Sequence, residues 1–417
     1  MIRVDSAPAK AQPADPIATD SAAPASVPRV LRPRRAAPAD AVRPTRAEIN
    51  LGHLRHNLRV VQRAAQGSKV YGVLKADAYG HGAPAVARTL ERAGIDGFCV
   101  ALLEEAAELR DAGIRAPILV MGGYFGNAWG EVLARDVTPV IYDRGQAEGI
   151  AREIRLSGAL ASPPVSVHLK IDTGMGRLGY DYREIDRFFD ELSRIPEVRI
   201  AGLMTHFACA EQQNLDIVDE QLRRFEQATS VAQRRGITSL IRHAANSAAL
   251  LRHDASRLDI VRPGIALFGI APRFANAPDL HPAMKVRTEI AALRQLREGD
   301  SLGYGWTWTA KRPSRIATVP IGYADGLPRQ LSNRGHMLVL GRRAPIVGTV
   351  SMDMTMIDVT DHPGVDPGDE VVVLGTQSGP LGVDEIAASE IADFTDTIPW
   401  DVLTSISRRV PRFYREP

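Results

Sequence analysis

Two cysteines in 417 residues, Cys99 and Cys209, provide no disulfide framework, and neither sits in a CxxC or zinc-ligand spacing. A reducing compartment is therefore expected, with the cytoplasm as the default, and no metal. No run of about 18 apolar residues occurs, which excludes a membrane-spanning helix. Charge of one sign is also lacking. Of 51 Lys/Arg and 49 Asp/Glu, the first 46 residues hold eight and four, which leaves 43 and 45 for the remainder. A near-neutral folded part argues against a nucleic-acid surface or a membrane-binding patch. Met1 to about Arg46 has no apolar h-region, so it is not a secretory signal. Its Ala, Pro, Asp and Arg cannot bury enough surface to offset ordering entropy, and residues 1–46 are expected to form a disordered arm.

What is present suits a two-domain globular chain, 45% hydrophobic and 24% charged. Eight short apolar or β-branched runs alternate with helical patterns: Val70–Leu74, Phe98–Ala101, Ile118–Met121, Thr138–Ile141, Val165–Lys170, Ile200–Thr205, Leu240–His243 and Asp259–Val261. Glu104–Ala112 and Leu215–Arg235 are examples of the intervening helical spacing. Eight βα units predict a (β/α)8 barrel over residues 47–285. Beyond it the strands come closer together, separated by Gly, Pro and Asp turns: Ile316–Pro320, Met337–Leu340, Ile346–Val350, Met356–Val359 and Val371–Leu374, with one helical stretch at Val383–Glu390. Residues 286–417 are accordingly expected to form a mostly-β domain.

Barrel enzymes carry their reactive groups at the C-terminal ends of the strands, with phosphate often held by the loops after strands 7 and 8. Lys75 follows the first predicted strand, within Lys75-Ala-Asp-Ala-Tyr79-Gly-His-Gly82. A lysine beside a buried strand has a lowered pKa, which suits it to forming a Schiff base with an aldehyde. After the fifth strand come Lys170 and Asp172-Thr-Gly-Met-Gly-Arg177; after the sixth, His206; after the seventh, Asn246-Ser247; after the eighth, Arg262-Pro-Gly264-Ile265. Ser247 offers a hydroxyl, and Gly264 lets backbone N–H groups approach a phosphate closely. Taken singly these residues have plainer readings: His206 and His168 as core histidines, Lys170 and Arg177 as a barrel-end ion network, and Tyr304 as a strand aromatic beside Trp306 and Trp308.

Together with Thr205-His206-Phe-Ala, Val261–Gly269, Gly303-Tyr304-Gly305 and Met352-Asp353, these motifs resemble the alanine racemases, in the family's order, from about residue 46 to 412. The resemblance implies a pyridoxal 5'-phosphate (PLP) enzyme that interconverts L- and D-alanine by two-base proton transfer at Cα, for peptidoglycan synthesis or alanine catabolism. It implies that Lys75 holds the cofactor and handles the α-proton of D-alanine. It implies likewise that Tyr304 acts on the L-alanine face from the partner subunit, which would make a homodimer with shared sites. Tyr79, Asn246, Ser247, Gly264 and Ile265 match the cofactor-binding positions, and Arg262 matches the guanidinium facing the pyridine nitrogen. His206 matches the histidine that links that guanidinium to the tyrosine. Arg177 and Met352 match groups near the cofactor's phenolic oxygen and the substrate carboxylate, and Lys170 matches a lysine, often carbamylated, that buttresses Arg177.

Elementary chemistry agrees with two bases, because a single base that cannot cross the plane of the substrate is unable to serve both faces. Arginine donates without giving up its proton, so Arg262 would leave the pyridine nitrogen unprotonated and restrain carbanion build-up. Two departures stand out: Arg408 occupies a position that is tyrosine in some relatives, and Ser351 one where cysteine is common. The rival readings are a racemase of broader amino-acid specificity and a non-catalytic PLP-binding regulator built from the barrel alone.

Overall fold

A computed structural model describes residues 41–122, 128–157, 163–275 and 279–416. The expected arm therefore lies outside the described residues, except for its last six. Those six correct the expectation. Arg43 grips the fully buried Asp325 carboxylate with both Nη atoms, at 2.9 and 2.7 Å, and the buried Thr45 hydroxyl bonds Thr288 and the Pro320 carbonyl. The order they gain comes from partners some 240 to 280 residues away, which no local pattern announces.

The strands in chain order begin with β1 (Arg46–Asn50), β2 (Lys69–Val73), β3 (Gly97–Val100), β4 (Ile118–Val120), β5 (Thr138–Ile141), β6 (Val165–Asp172), the two-residue β7 (Tyr180–Asp181), β8 (Val198–Met204), β9 (Ile241–His243) and β10 (Ile260–Val261). The order β5-β4-β3-β2-β10-β9-β8-β6 is parallel throughout, and β5 pairs β6 (Val140 with His168) to close the ring. All eight expected barrel strands are present. β3 and β4 are buried at every position, and so they read as continuous apolar runs rather than alternating ones.

The chain visits the second domain before the barrel. β1 pairs antiparallel with β11 (Met284–Glu289) and parallel with the last strand, Arg412–Arg415. The 47–285 span thus includes a strand of the β domain's own sheet and the first residues of β11. After β11 come β12 (Ala292–Leu296), β13 (Ser301–Leu302), β14 (Trp308–Thr309), β15 (Ser314–Val319), β16 (His336–Val339), β17 (Arg342–Pro345), β18 (Thr355–Asp358), β19 (Glu370–Gly379), β20 (Gly382–Ile386) and β21 (Arg412–Arg415). Two expectations fail here. Val383–Glu390 is not a helix, because Gly382–Ile386 pairs antiparallel with β19, and the helices fall later, at Ala388–Thr395 and Pro399–Ser405. Ile346–Val350 is not a strand either; Ile346 makes one bridge to Ile357, and the paired segment is Arg342–Pro345. No helix among the described residues is long and apolar enough to cross a membrane.

The helix Leu51–Ala65 stitches the barrel to the segment that enters the β domain. Asn50 caps it, its side-chain oxygen accepting from His53 N at 3.0 Å, and Leu54, Leu58 and Val61 line the buried face. Asn57 is buried on that same face. Its amide donates to the carbonyls of Leu267 and His281, and its Oδ1 accepts from His281 N, so one side chain fixes the approach to β11.

Candidate active site

Lys75 follows β2 and begins a five-residue turn that is left-handed. Ala76, Asp77, Ala78 and Tyr79 have φ of 51°, 58°, 54° and 53°. Each such residue costs about 1–2 kcal/mol, so the turn must be held by its surroundings. Glu105 supplies much of the hold. One carboxylate oxygen accepts from Ala76 N at 2.6 Å, and the other from Ala101 N and Leu102 N at 2.8 and 3.1 Å. Asp77 Oδ1 accepts from Ala83 N at 2.7 Å. His81, wholly buried, lies with Nδ1 3.0 Å from the carbonyls of Ala78 and Tyr79, and burial keeps it neutral with a pKa of about 4. From the β domain, Arg412 Nε donates to Gly80 O at 2.9 Å, and a Cβ at Gly80 would stand 2.5 Å from Leu403 O.

The turn sets out Lys75 and Tyr79 on a cavity of about 130 Å³. Its walls are Val73, Lys75, Tyr79, Met121, His206, Glu211, Asn246, Ser247, Ala248, Arg262, Gly264, Ile265 and Trp400. The reactive members follow the C-terminal ends of β2, β8, β9 and β10, as the barrel rule requires. Asn246 turns its Oδ1 to Ala249 N and starts the short helix Ser247–Arg252. The Ser247 hydroxyl accepts from Gly264 N at 2.9 Å. A Cβ at Gly264 would lie 2.3 Å from the Tyr79 hydroxyl, so only glycine leaves Tyr79, Ser247 and the backbone of residues 264–265 grouped together.

Arg262 is 2% exposed, and both of its Nη atoms are held within the barrel. Its Nη2 donates to the carbonyls of Thr205 and Ala244 at 2.8 and 2.9 Å and reaches His206 Nδ1 at 3.4 Å; its Nη1 meets His243 Nδ1 at 2.9 Å. Because guanidinium only donates, both imidazoles accept through Nδ1 and carry their proton on Nε2. His243 Nε2 then donates to His168 Nδ1 at 2.7 Å. Burial and the Arg262 charge hold all three histidines neutral: His206 falls to about 3, His168 to about 4, and His243 well below its usual range. Arg262 itself, lowered by burial to about 10, stays charged at neutral pH.

The side chain of Lys75 opens toward solvent at the mouth, yet the protein packed around it, and then the Arg177 cation, hold its pKa below the usual lysine range against the opposing pull of Glu105. Lys170 is 5% exposed; burial first, then Arg177 and Arg262, bring it down to about 8. Arg177 rides on a loop shaped by Asp172, whose carboxylate accepts from the N–H groups of Gly174, Met175 and Gly176. Lys75, Lys170, Arg177 and Arg262 thus concentrate positive charge around neutral histidines, an arrangement suited to an anionic ligand.

Lys75, Tyr79, His206, Asn246, Ser247, Arg262, Gly264 and Ile265 therefore converge as expected, and Lys170 and Arg177 act electrostatically on the same groups. Tyr304 and Met352 do not line the cavity. They stand exposed on the β domain, 73% and 52% accessible. Arg408 is exposed and absent from the cavity wall, whereas Trp400, from the helix Pro399–Ser405, is part of it. Sequence reading missed Trp400, Glu211 and His243. His243 had one visible signal, Gly202 in mid-strand: a Cβ there would lie 2.7 Å from the His168 ring, so the glycine makes room for a buried histidine pair. Cys99, buried and with its thiol pushed up to about 12, is inert packing.

Residues 49–272 match the family model for the alanine racemase N-terminal domain, and residues 283–414 that for the alanine racemase C-terminal domain. The chain belongs to the alanine racemase family. An alanine racemase of Sorangium cellulosum is 62% identical over 382 residues, covering 90% of this chain and all of the relative, and alanine racemase 2 of Caldanaerobacter subterraneus is 44% identical over 379 residues, 90% and 96% of the two chains. Among solved structures, alanine racemase from Bacillus anthracis with bound L-Ala-P superposes with a TM-score of 0.82 at 33% identity, covering 90% of this chain and 96% of that one. That from Streptomyces coelicolor gives 0.83 at 34% identity, with 90% and 99% covered. Both domains of this family member are matched, so neither the barrel-only regulator nor the broader racemase gains support.

Proposed function

We propose that the chain interconverts L- and D-alanine in the cytoplasm, using PLP held at the barrel mouth by Lys75. The observation that carries this reading is the convergence, on one cavity, of a lysine with a lowered pKa, a cation that cannot give up its proton, and a glycine-spaced cluster of hydroxyls and N–H groups. The residues fit the cofactor part by part. Lys75 suits the aldehyde. Tyr79, Ser247 and the backbone at Gly264 and Ile265 suit the phosphate, and their neighbour Asn246 holds that loop. Arg262 suits the pyridine nitrogen. When bound, PLP supplies a conjugated ring that withdraws electrons from Cα and so acidifies its proton.

The chain's own groups do the remainder. Lys75, whose lowered pKa makes its neutral form more accessible, removes or returns the proton on the D-alanine face. Tyr304 of the partner subunit serves the opposite face. His206, neutral and receiving from Arg262, has Nε2–H as its donor, which steadies the tyrosine oxygen when it is charged. Arg262 offers a hydrogen bond to the ring nitrogen without protonating it, which limits side reactions. Arg177 and Met352 of the partner subunit receive the substrate carboxylate, with Lys170 behind Arg177. A head-to-tail homodimer is part of the proposal, because the barrel of one chain shows Lys75 while its Tyr304 faces outward.

A coupled assay of D-alanine formation, run on the wild type and Lys75→Ala with serine and lysine as alternative substrates, tests the reading. The variant should lose roughly 10²–10⁴-fold or more of turnover. Borohydride reduction followed by peptide mapping should label Lys75. A label elsewhere, or preference for lysine over alanine, would overturn it.

A further inference from the structure

Away from the barrel mouth, His56, Asp279 and His281 place three potential ligand atoms within 4.8 Å of one another, the one such group among the described residues. Asp279 bridges the pair: His56 Nε2 lies 3.3 Å from Oδ2, and His281 Nε2 lies 2.9 Å from Oδ1. Around a zinc-sized ion with bonds of about 2.0–2.1 Å, neighbouring tetrahedral ligands stand about 3.3–3.4 Å apart, so these separations already approach coordination distance.

The backbone that presents the cluster is fixed from one helix. Asn57 takes both the N–H and the carbonyl of His281. His53 Nδ1 lies 2.7 Å from Pro282 O, and His56 Nε2 lies 2.8 Å from Asp279 O, a hydrogen bond that Nε2 gives up when its lone pair turns to an ion. His53 also sets its ring edge-on against His281, at 5.2 Å between centroids. Consecutive turns of the helix Leu51–Ala65 therefore hold the segment 279–282 in place before any ion arrives, which removes much of the ordering cost of binding.

We infer that His56, Asp279 and His281 form a surface site for a divalent first-row transition-metal ion, zinc or nickel, that staples the first barrel helix to the segment entering the β domain. Two imidazoles and one carboxylate are the donor set such ions take, with water completing the shell. The rings of His56 and His281 stack in parallel at 4.1 Å, 1° from coplanar, so their lone pairs lie side by side. One ring must turn for both to meet the ion. His281, with 43% of its side chain exposed, has room to do so.

The test uses the full-length, tag-free protein as isolated, titrated with zinc chloride and nickel chloride by calorimetry and by equilibrium dialysis with metal analysis. One ion per chain is expected. Binding should weaken by more than the ~10-fold that an outer-shell partner is worth in His56→Ala, Asp279→Asn and His281→Ala. Nickel should raise the Tm of the wild type and leave that of His281→Ala unchanged, since a ligand held only by the folded state stabilises it. Racemase turnover without added metal should be the same in His281→Ala and the wild type, which separates this site from the catalytic proposal. Fewer than one ion per chain at saturation, or full-strength binding in His281→Ala or His56→Ala, would overturn the inference.

Discussion

The barrel mouth and the outer face of the β domain handle polar and aromatic groups in opposite ways. At the mouth, the Nη atoms of Arg262 reach two carbonyls and two histidines, Glu105 accepts three backbone N–H groups, and the strained turn after Lys75 is braced from both domains. On the β domain, Tyr304, Trp306, Tyr323, Met352 and Met354 are all exposed, although their backbone is well held: Tyr304 O accepts from Thr349 Oγ1, and Ala324 N donates to Met352 O. Rigid backbone with large apolar side chains left in water marks an interaction surface. The difference is what the proposed sharing of the site requires: a single chain that carries a finished cofactor half and leaves the substrate half to be completed by its partner.

Arg262→Lys should strike the finished half hardest. A lysine cannot reach His243, Thr205, Ala244 and His206 together, so buried acceptors lose partners, at roughly 1–3 kcal/mol each. The urea midpoint should drop by an amount equivalent to roughly 2–5 kcal/mol, and turnover should fall about 100-fold as the site loosens. Tyr304→Phe makes the contrast: turnover lost, but stability within about 0.5 kcal/mol, as for an exposed position. Equal stability loss in both variants would erase the distinction between the two regions.

Acid should also act on the finished half. His81 and His168 stay neutral in the fold to about pH 4, His206 to about pH 3, and burial beside Arg262 holds His243 well below its usual range, whereas unfolded histidines bind protons near 6.5. Below about pH 6.5 the unfolded state holds the extra protons, so stability is full above that pH and declines as pH falls toward 4. The decline approaches ~1.4 kcal/mol per histidine per pH unit. Urea unfolding at pH 7 and pH 5 should show a loss of several kcal/mol; equal midpoints would mean that these rings titrate normally.

Gly264→Ala is a milder probe. Its methyl would meet the Tyr79 hydroxyl, so the variant should bind PLP about 10-fold more weakly, read from cofactor retained on dialysis, with little change in Tm of the loaded protein. Retention equal to the wild type would remove the phosphate from this corner. Smallest of all is deletion of residues 1–40, which keeps Arg43 on Asp325: turnover and Tm should hardly move.

The barrel was legible because its strands are short, largely apolar and separated by helical patterns, and much of the chemistry was legible because Lys75, His206, Ser247 and Arg262 follow strand ends. What stayed hidden depended on distant partners. β1 looked like barrel because its sheet partners, Met284–Glu289 and Arg412–Arg415, lie more than 230 residues on. Val383–Glu390 read as helix, while the hairpin to β19 that makes Gly382–Ile386 a strand rests on the glycines at 379 and 382. His243 passed for an ordinary strand end and Trp400 carried no signal, until packing brought the one to Arg262 and the other to the cavity. The metal cluster was invisible for the same reason, its His56 and His281 being joined only by the fold.

Sharing of the site between subunits is the central claim, and mixing inactive chains tests it most directly. Lys75→Ala and Tyr304→Phe proteins should each be nearly inactive. Exchanged at equal amounts, half of the dimers are mixed, and each mixed dimer holds one intact site out of two, so activity should return to about a quarter of the wild type. If dimers shown to be mixed by differential tagging stay at the level of the separate variants, Lys75 and Tyr304 do not meet across the interface, and the exposed face of the β domain has some other purpose.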